Sequence, residues 1–184
     1  MNASFPPPGD LTEKRALILA APDFEDSELL YPRLRLIEAG VQTRVAGLGE
    51  RSYRGKHGLL VDVDANVEDV VVGHWDLVVI PGGWAPDRLR MSETVLNIVR
   101  RAVSANNHVA AICHGGWVLA SAGVAQDRMV TSYRSIKDDM TNAGGRWVDE
   151  AVVVDGPLIT SRTPDDLPAF CRAMLAALAA PPLS

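Results

Sequence analysis

Cysteine is scarce in this chain. Cys113 and Cys171 are the only two among 184 residues, in contexts unlike a disulfide framework, so a reducing, cytoplasmic setting is expected. Basic clusters are lacking too. With a formal charge of -5, and only the small pairs Arg88/Arg90 and Arg100/Arg101 on what read as solvated helix faces, nothing offers a phosphate-tracking patch, and nucleic acid is excluded as an expected partner. No stretch approaches the roughly 18 apolar residues of a membrane span, which excludes a membrane partner. Residues 1–10 carry no basic start followed by an apolar core, so no signal peptide is expected there. The run Phe5-Pro6-Pro7-Pro8-Gly9 reads as part of a loose, extended leader over residues 1–14.

What is present reads as one globular domain over residues 15–180, with 47% apolar and 22% charged residues. Apolar runs at 16–20, 77–80 and 108–112 have the character of buried parallel strands, and 41–46 supplies a further strand. Helical spacing separates them. Leu29, Leu30, Leu34 and Ile37 recur up to Gly40, with Pro32 expected to kink or interrupt the segment. Ser92-Glu93 opens a helix over 94–105 whose inner face is Val95, Ile98, Val99 and Ala102. Around Gly55-Lys56-His57-Gly58 the pattern shortens into a hairpin inserted in the α/β rhythm, with His57 read as a turn residue without chemistry. A short strand at 129–131, a helix at 136–143, a hairpin of 152–154 with 158–160 and a final helix from Thr163 to about Ala180 complete the chain. The alternation predicts an α/β fold with a mostly parallel sheet of six or seven strands and helices on both faces. Cys171 reads as core packing in the last helix.

The organising stretch is Ala110-Ala111-Ile112-Cys113-His114-Gly115-Gly116-Trp117. A buried strand stops at a cysteine, two glycines let the backbone turn, and a helix runs on to Gly123, the pattern of a nucleophile elbow. A thiol at a helix N-terminus is expected to titrate below the ordinary value near 8.5, because the helix N–H groups stabilise its anion. A lone strand-end cysteine reads equally well as a small buried hydrophobe, and the adjacent His114 and glycines favour chemistry. Ligands in such folds bind beyond the carboxyl ends of the strands, where three turns meet: those bearing Glu25, Gly82 with Gly83, and Cys113.

These turns also carry a family resemblance. Phe24-Glu25-Asp26 with Glu28-Leu29 before a tyrosine-proline pair, Gly55-Lys56-His57-Gly58, Val79-Ile80-Pro81-Gly82-Gly83-Trp84-Ala85-Pro86, Ala111-Ile112-Cys113-His114-Gly115, Thr131-Ser132-Tyr133 with Ile136-Lys137-Asp138-Asp139-Met140, and Val153-Val154-Asp155-Gly156 resemble the PfpI branch of the ThiJ/PfpI superfamily. The resemblance spans roughly residues 15–178 and implies a flavodoxin-like three-layer sandwich with a glutamine-amidotransferase-like elbow. It implies a cofactor-free, metal-free enzyme acting on small reactive carbonyls, of glyoxalase or deglycase type. The alternatives it carries are an intracellular peptidase or amidase, an isonitrile-hydratase-like lyase, and a non-catalytic redox or stress sensor. By matching motif, Cys113 is the nucleophile, His114 its acid/base, and Glu25 the carboxyl that touches the thiolate. Asp87 stands where the family has glutamate, completing a triad with the histidine across the interface of a homodimer or trimer of dimers.

Physical argument supports several of these roles. A carboxyl beside a thiolate has to be protonated, since two anions in contact repel. Backbone N–H groups of Gly82 or Gly83 and of His114 are candidate oxyanion donors, and Gly115 frees space beside the thiol. Plainer readings stand beside them: Glu25 and Asp87 as helix-start acids, Trp84 and Trp117 as pocket or interface aromatics or as core. Asp87 is one methylene shorter than the family's residue, and Gly116-Trp117 departs from its pattern.

Overall fold

The computed structural model describes residues 11–181. In chain order the elements are β1 (Arg15–Leu19), α1 (Asp26–Glu38), β2 (Gln42–Gly47), β3 (Ser52–Arg54), β4 (Leu60–Asp62), β5 (Ala65–Asn66), α2 (Val67–Val70), β6 (Leu77–Ile80), α3 (Ala85–Leu89) and α4 (Glu93–Ser104). They continue with β7 (His108–Ile112), α5 (Gly116–Ala122), β8 (Met129–Val130), α6 (Lys137–Asn142), β9 (Arg146–Trp147), β10 (Val152–Asp155), β11 (Leu158–Ser161) and α7 (Leu167–Ala179). Seven strands form the central sheet in the order β10-β11-β7-β6-β1-β2-β5, parallel except for the antiparallel edge strand β10. Helices α1 and α7 pack together, and α4 packs with α2 and α5, so the sheet is covered on both faces.

Apolar runs explain the centre: every residue of β6, and all but the first of β1 and β7, is buried. The expected hairpins are present, β3 with β4 and β10 with β11. The 129–131 strand pairs instead with β9 in a small parallel sheet outside the main one. Ser92 caps α4 by accepting the Val95 N–H, and Gly123 ends α5 at a φ of 74°, a conformation that glycine adopts without penalty.

Three expectations are corrected. Helix α1 is not interrupted at Pro32, which lacks the N–H that would donate to the Glu28 carbonyl. Its buried stripe is Glu28, Leu29, Pro32 and Leu36, while Leu30, Leu34 and Ile37 face outward. The leader does not extend to Lys14: Leu11 is already part of the core and its carbonyl accepts the Lys14 N–H. Phe5 to Gly9 lie outside the described residues.

The central strands carry the stability. Ile80→Ala, at a fully buried position of β6, is expected to cost about 2–5 kcal/mol, and Leu60→Ala, half exposed on β4, less than about 0.5 kcal/mol, both read by urea unfolding.

Candidate active site

Loops leaving the carboxyl ends of β1, β6 and β7 are laced together before any side chain is considered. Glu25 N–H donates to the Gly82 carbonyl (3.1 Å), and Trp84 N–H donates to the Asp23 carbonyl (2.8 Å). This approach requires glycine: Gly83 has φ 75°, and a Cβ there would lie 2.5 Å from both the Asp23 carbonyl oxygen and the Glu25 nitrogen. On the other strand Cys113 itself sits at φ 60°, a strained position for a residue with a side chain, and opens a 3-10 turn, Cys113–Gly115, that runs into α5. Gly115 lets this turn dock, since a Cβ would lie 2.6 Å from the Ile80 carbonyl oxygen.

The elbow delivers Cys113 to the floor of a cavity of about 210 Å³, with His114, Glu25, Glu28, Lys56 and Tyr133 among its walls. Cys113 Sγ lies 3.2 Å from His114 Nδ1, while His114 Nε2 faces Ser135 Oγ at 3.3 Å. The imidazole is held between two rings, stacked on Tyr133 and edge-on to Trp117, each with centroids 5.1 Å away. Burial, helped by the positive charge of Lys56, lowers the His114 pKa, so the ring is kept neutral and able to accept a proton.

The carboxyl at the thiol is Glu28. It is wholly buried in the first turn of α1, where its Oε2 accepts the Gly82 N–H (2.8 Å). A Cβ on Gly82 would meet that oxygen at 2.6 Å and Cys113 Sγ at 3.1 Å, so the missing side chain is what lets acid and thiol share one space. Burial raises the Glu28 pKa to about 8, the Gly82 bond opposing it and the Glu25 charge adding to it. Glu28 Oε1 is buried without a hydrogen-bonding partner among the described residues, a position suited to a carboxyl proton. The thiol is pushed up to about 12, first by burial and then by the Glu28 charge, against the lowering effect of the His114 and Gly83 N–H groups. This corrects the expectation of a thiol acidified by its helix: those N–H groups are present, and desolvation outweighs them.

Glu25 is the second correction. It is the residue before α1, and its carboxylate turns to Lys56 Nζ (2.7 Å) and His57 Nε2 (3.4 Å), not to sulfur. His57 therefore has a partner at the site's edge. Gly82 is no oxyanion donor, its N–H being taken by Glu28, whereas the Gly83 and His114 N–H groups do point at sulfur. Trp84 lines the cavity and is largely exposed. Trp117 lies outside it, behind His114, its indole N–H donating to Asp139 (2.9 Å) under the Arg90 guanidinium. Asp87 is exposed on α3, and its carboxylate has no partner among the described residues, so a triad through it would have to be assembled between chains.

Glu28, Lys56, Tyr133 and Ser135 have no role that the sequence pattern alone assigns. Glu28 had a signal: it stands at i, i+4, i+8 with Pro32 and Leu36, a charged residue in a core stripe. The others come from loops whose approach to the thiol depends on the folded chain.

The model of the DJ-1/PfpI family matches residues 14–177. The chain belongs to the DJ-1/PfpI family. Over 158 residues it is 49% identical to a protein named a deglycase from Pyrococcus abyssi, covering 86% of this chain and 95% of that one. Among solved structures, Drosophila melanogaster DJ-1beta superposes with a TM-score of 0.86 at 34% identity, covering 90% of each chain. A two-domain protein of Anabaena variabilis, with DJ-1/ThiJ/PfpI-like and ferritin-like domains, gives a TM-score of 0.87 at 39% identity. Its match covers 90% of this chain and 48%, about half, of that one. The family assignment agrees with the resemblance and with the flavodoxin-like sandwich expected from it.

The Glu28 proton has a stability consequence. A carboxyl raised from 4.5 to about 8 holds a proton in the folded chain that the unfolded chain releases, so wild-type stability falls as pH rises through that interval. Glu28→Gln removes the titration. Urea unfolding is expected to show the variant gaining on the wild type from the lower to the upper end of that range.

Proposed function

We propose that this DJ-1/PfpI-family chain is a cofactor-free enzyme of deglycase or glyoxalase type, in which the Cys113 sulfur adds to small reactive carbonyls. The observation that carries the reading is the thiol held between a proton acceptor and a proton donor: His114 Nδ1 at 3.2 Å and the Glu28 carboxyl, protonated at neutral pH. A thiol that does not ionise in the resting site has to lose its proton during attack. The S–C bond forms as the thiol proton passes to His114 and the carbonyl π electrons move onto oxygen, which takes the Glu28 proton. The same two groups then move protons between the carbons and oxygens of a bound dicarbonyl, or release the amine from a carbonyl–amine adduct.

The deglycase named among the relatives supports the substrate class. The small cavity supports it too, since a two- or three-carbon dicarbonyl fits within about 210 Å³. Peptide cleavage would further demand a histidine aligned to protonate a leaving amine, and His114 Nε2 faces a serine hydroxyl.

The test is D-lactate formation from methylglyoxal without glutathione or added metal. Cys113→Ala should abolish turnover. Glu28→Gln should lower kcat on the order of a hundredfold, the usual worth of a positioned acid, and Glu25→Gln should cost less. A wild type that forms no lactate and releases no amine from glycated amino acids, while its Cys113 still alkylates, would sink the reading and leave a sensing role for the thiol.

A further inference from the structure

The cation on the cavity wall has no part in the proton transfers above. We propose that Lys56 makes the Cys113 pocket selective for reactive carbonyls that carry an anionic oxygen group, such as a carboxylate, next to the carbonyl carbon. This deepens the carbonyl-addition reading and rests on it.

Lys56 is the only lysine or arginine among the described residues lining the cavity, and its loop is built to put it there. It occupies the β3–β4 turn, which docks on the Glu25–Asp26 corner of α1. The Asp26 carboxylate accepts the N–H groups of His57 (3.0 Å) and Leu59 (2.7 Å), and Lys56 N–H donates to the Phe24 carbonyl (3.0 Å). A Cβ on Gly55 would overlap the Asp26 carboxylate, so the docking depends on that glycine. The backbone of the turn is thereby fixed, and only the lysine side chain is left to adapt.

That side chain has capacity to spare. An ammonium has three donors, and Lys56 Nζ has one charged partner, Glu25 Oε2 at 2.7 Å. The other Glu25 oxygen faces His57 Nε2 (3.4 Å) and Ser27 Oγ (3.5 Å), so Lys56 can donate to a second oxygen without abandoning Glu25 to bare solvent. Its side chain is 38% exposed, open to an arriving ligand. With Glu28 holding its proton, the floor of the pocket opposes an anion with no charge of its own. For glyoxylate, the simplest compound of the class, thiol addition forms the S–C bond as the thiol proton passes to His114, and the carbonyl oxygen becomes a hydroxyl by taking the Glu28 proton. The carboxylate is unchanged and rests on Lys56.

Iodoacetate and iodoacetamide test the charge preference without any carbonyl. Both form an S–C bond at Cys113 and release iodide, and they differ by one negative charge. With the Cys113→Ala rate subtracted, the iodoacetate-to-iodoacetamide rate ratio is expected to fall about tenfold in Lys56→Met, in keeping with loss of one charge-assisted hydrogen bond, and to be largely retained in Lys56→Arg. It should stay low in Glu25→Gln/Lys56→Met, where neither charge remains. A fall of less than about threefold in Lys56→Met overturns the proposal, as does a double variant with the wild-type ratio, which would assign the effect to repulsion by Glu25. Protection of Cys113 from iodoacetamide then reads the carbonyl class: wild type should be protected by about tenfold less glyoxylate than Lys56→Met, with a much smaller shift for methylglyoxal. Equal shifts overturn the assignment. Because the alkylation ratio involves no carbonyl turnover, failure to convert methylglyoxal with that ratio intact would defeat the proposed reaction and leave the charge preference standing.

Discussion

Two buried neighbours that cannot both be charged, the Glu28 carboxyl and the Cys113 thiol, set the terms for the rest of the site. The Glu28 carboxyl and the Cys113 thiol are buried in the same small volume, and two negative charges there would repel at close range. Each group therefore holds its proton more tightly than in water, and the carboxyl gives up its own first. The resting site is accordingly neutral at this point, an acid beside a thiol. The aromatic rings around His114 and the nearby Lys56 charge complete the arrangement by keeping the imidazole unprotonated, ready to accept what the sulfur releases.

Holding these groups together has a cost in backbone freedom that the chain meets with glycine and strain. Gly82 makes room for the acid and the sulfur, Gly83 allows two loops to cross, and Gly115 seats the elbow against β6. Cys113 keeps a left-handed φ although it has a side chain. Strain of this kind persists only where surrounding contacts over-determine it, here the parallel strands β6 and β7 and the helix that follows the elbow. The geometry of the site is therefore a property of the sheet edge as a whole.

The architecture was legible because it rests on local signals. Uninterrupted apolar runs announced β1, β6 and β7, the cap at Ser92 and the stop at Gly123 bounded helices, and strand, cysteine, histidine and glycines announced the elbow. The carboxyl partner was misplaced by one helical turn. Glu25 and Glu28 are both acids at the start of α1, and which one turns inward depends on helix phase, which the outward-facing Leu34 and Ile37 obscured. The thiol's titration was misjudged for a related reason: helix N–H groups are read from sequence, whereas desolvation depends on how deeply the elbow is buried. Tyr133, Ser135 and Lys56 reach the thiol only through the tertiary path of their loops.

Everything in this arrangement requires Glu28 to be a carboxylic acid in the resting site at neutral pH. Infrared difference spectra of wild type minus Glu28→Gln test it most directly. The account predicts a protonated-carboxyl C=O band at neutral pH that vanishes as the solution is taken through about pH 8. A difference spectrum showing only carboxylate bands at neutral pH would contradict it, and with it the acid role assigned to Glu28.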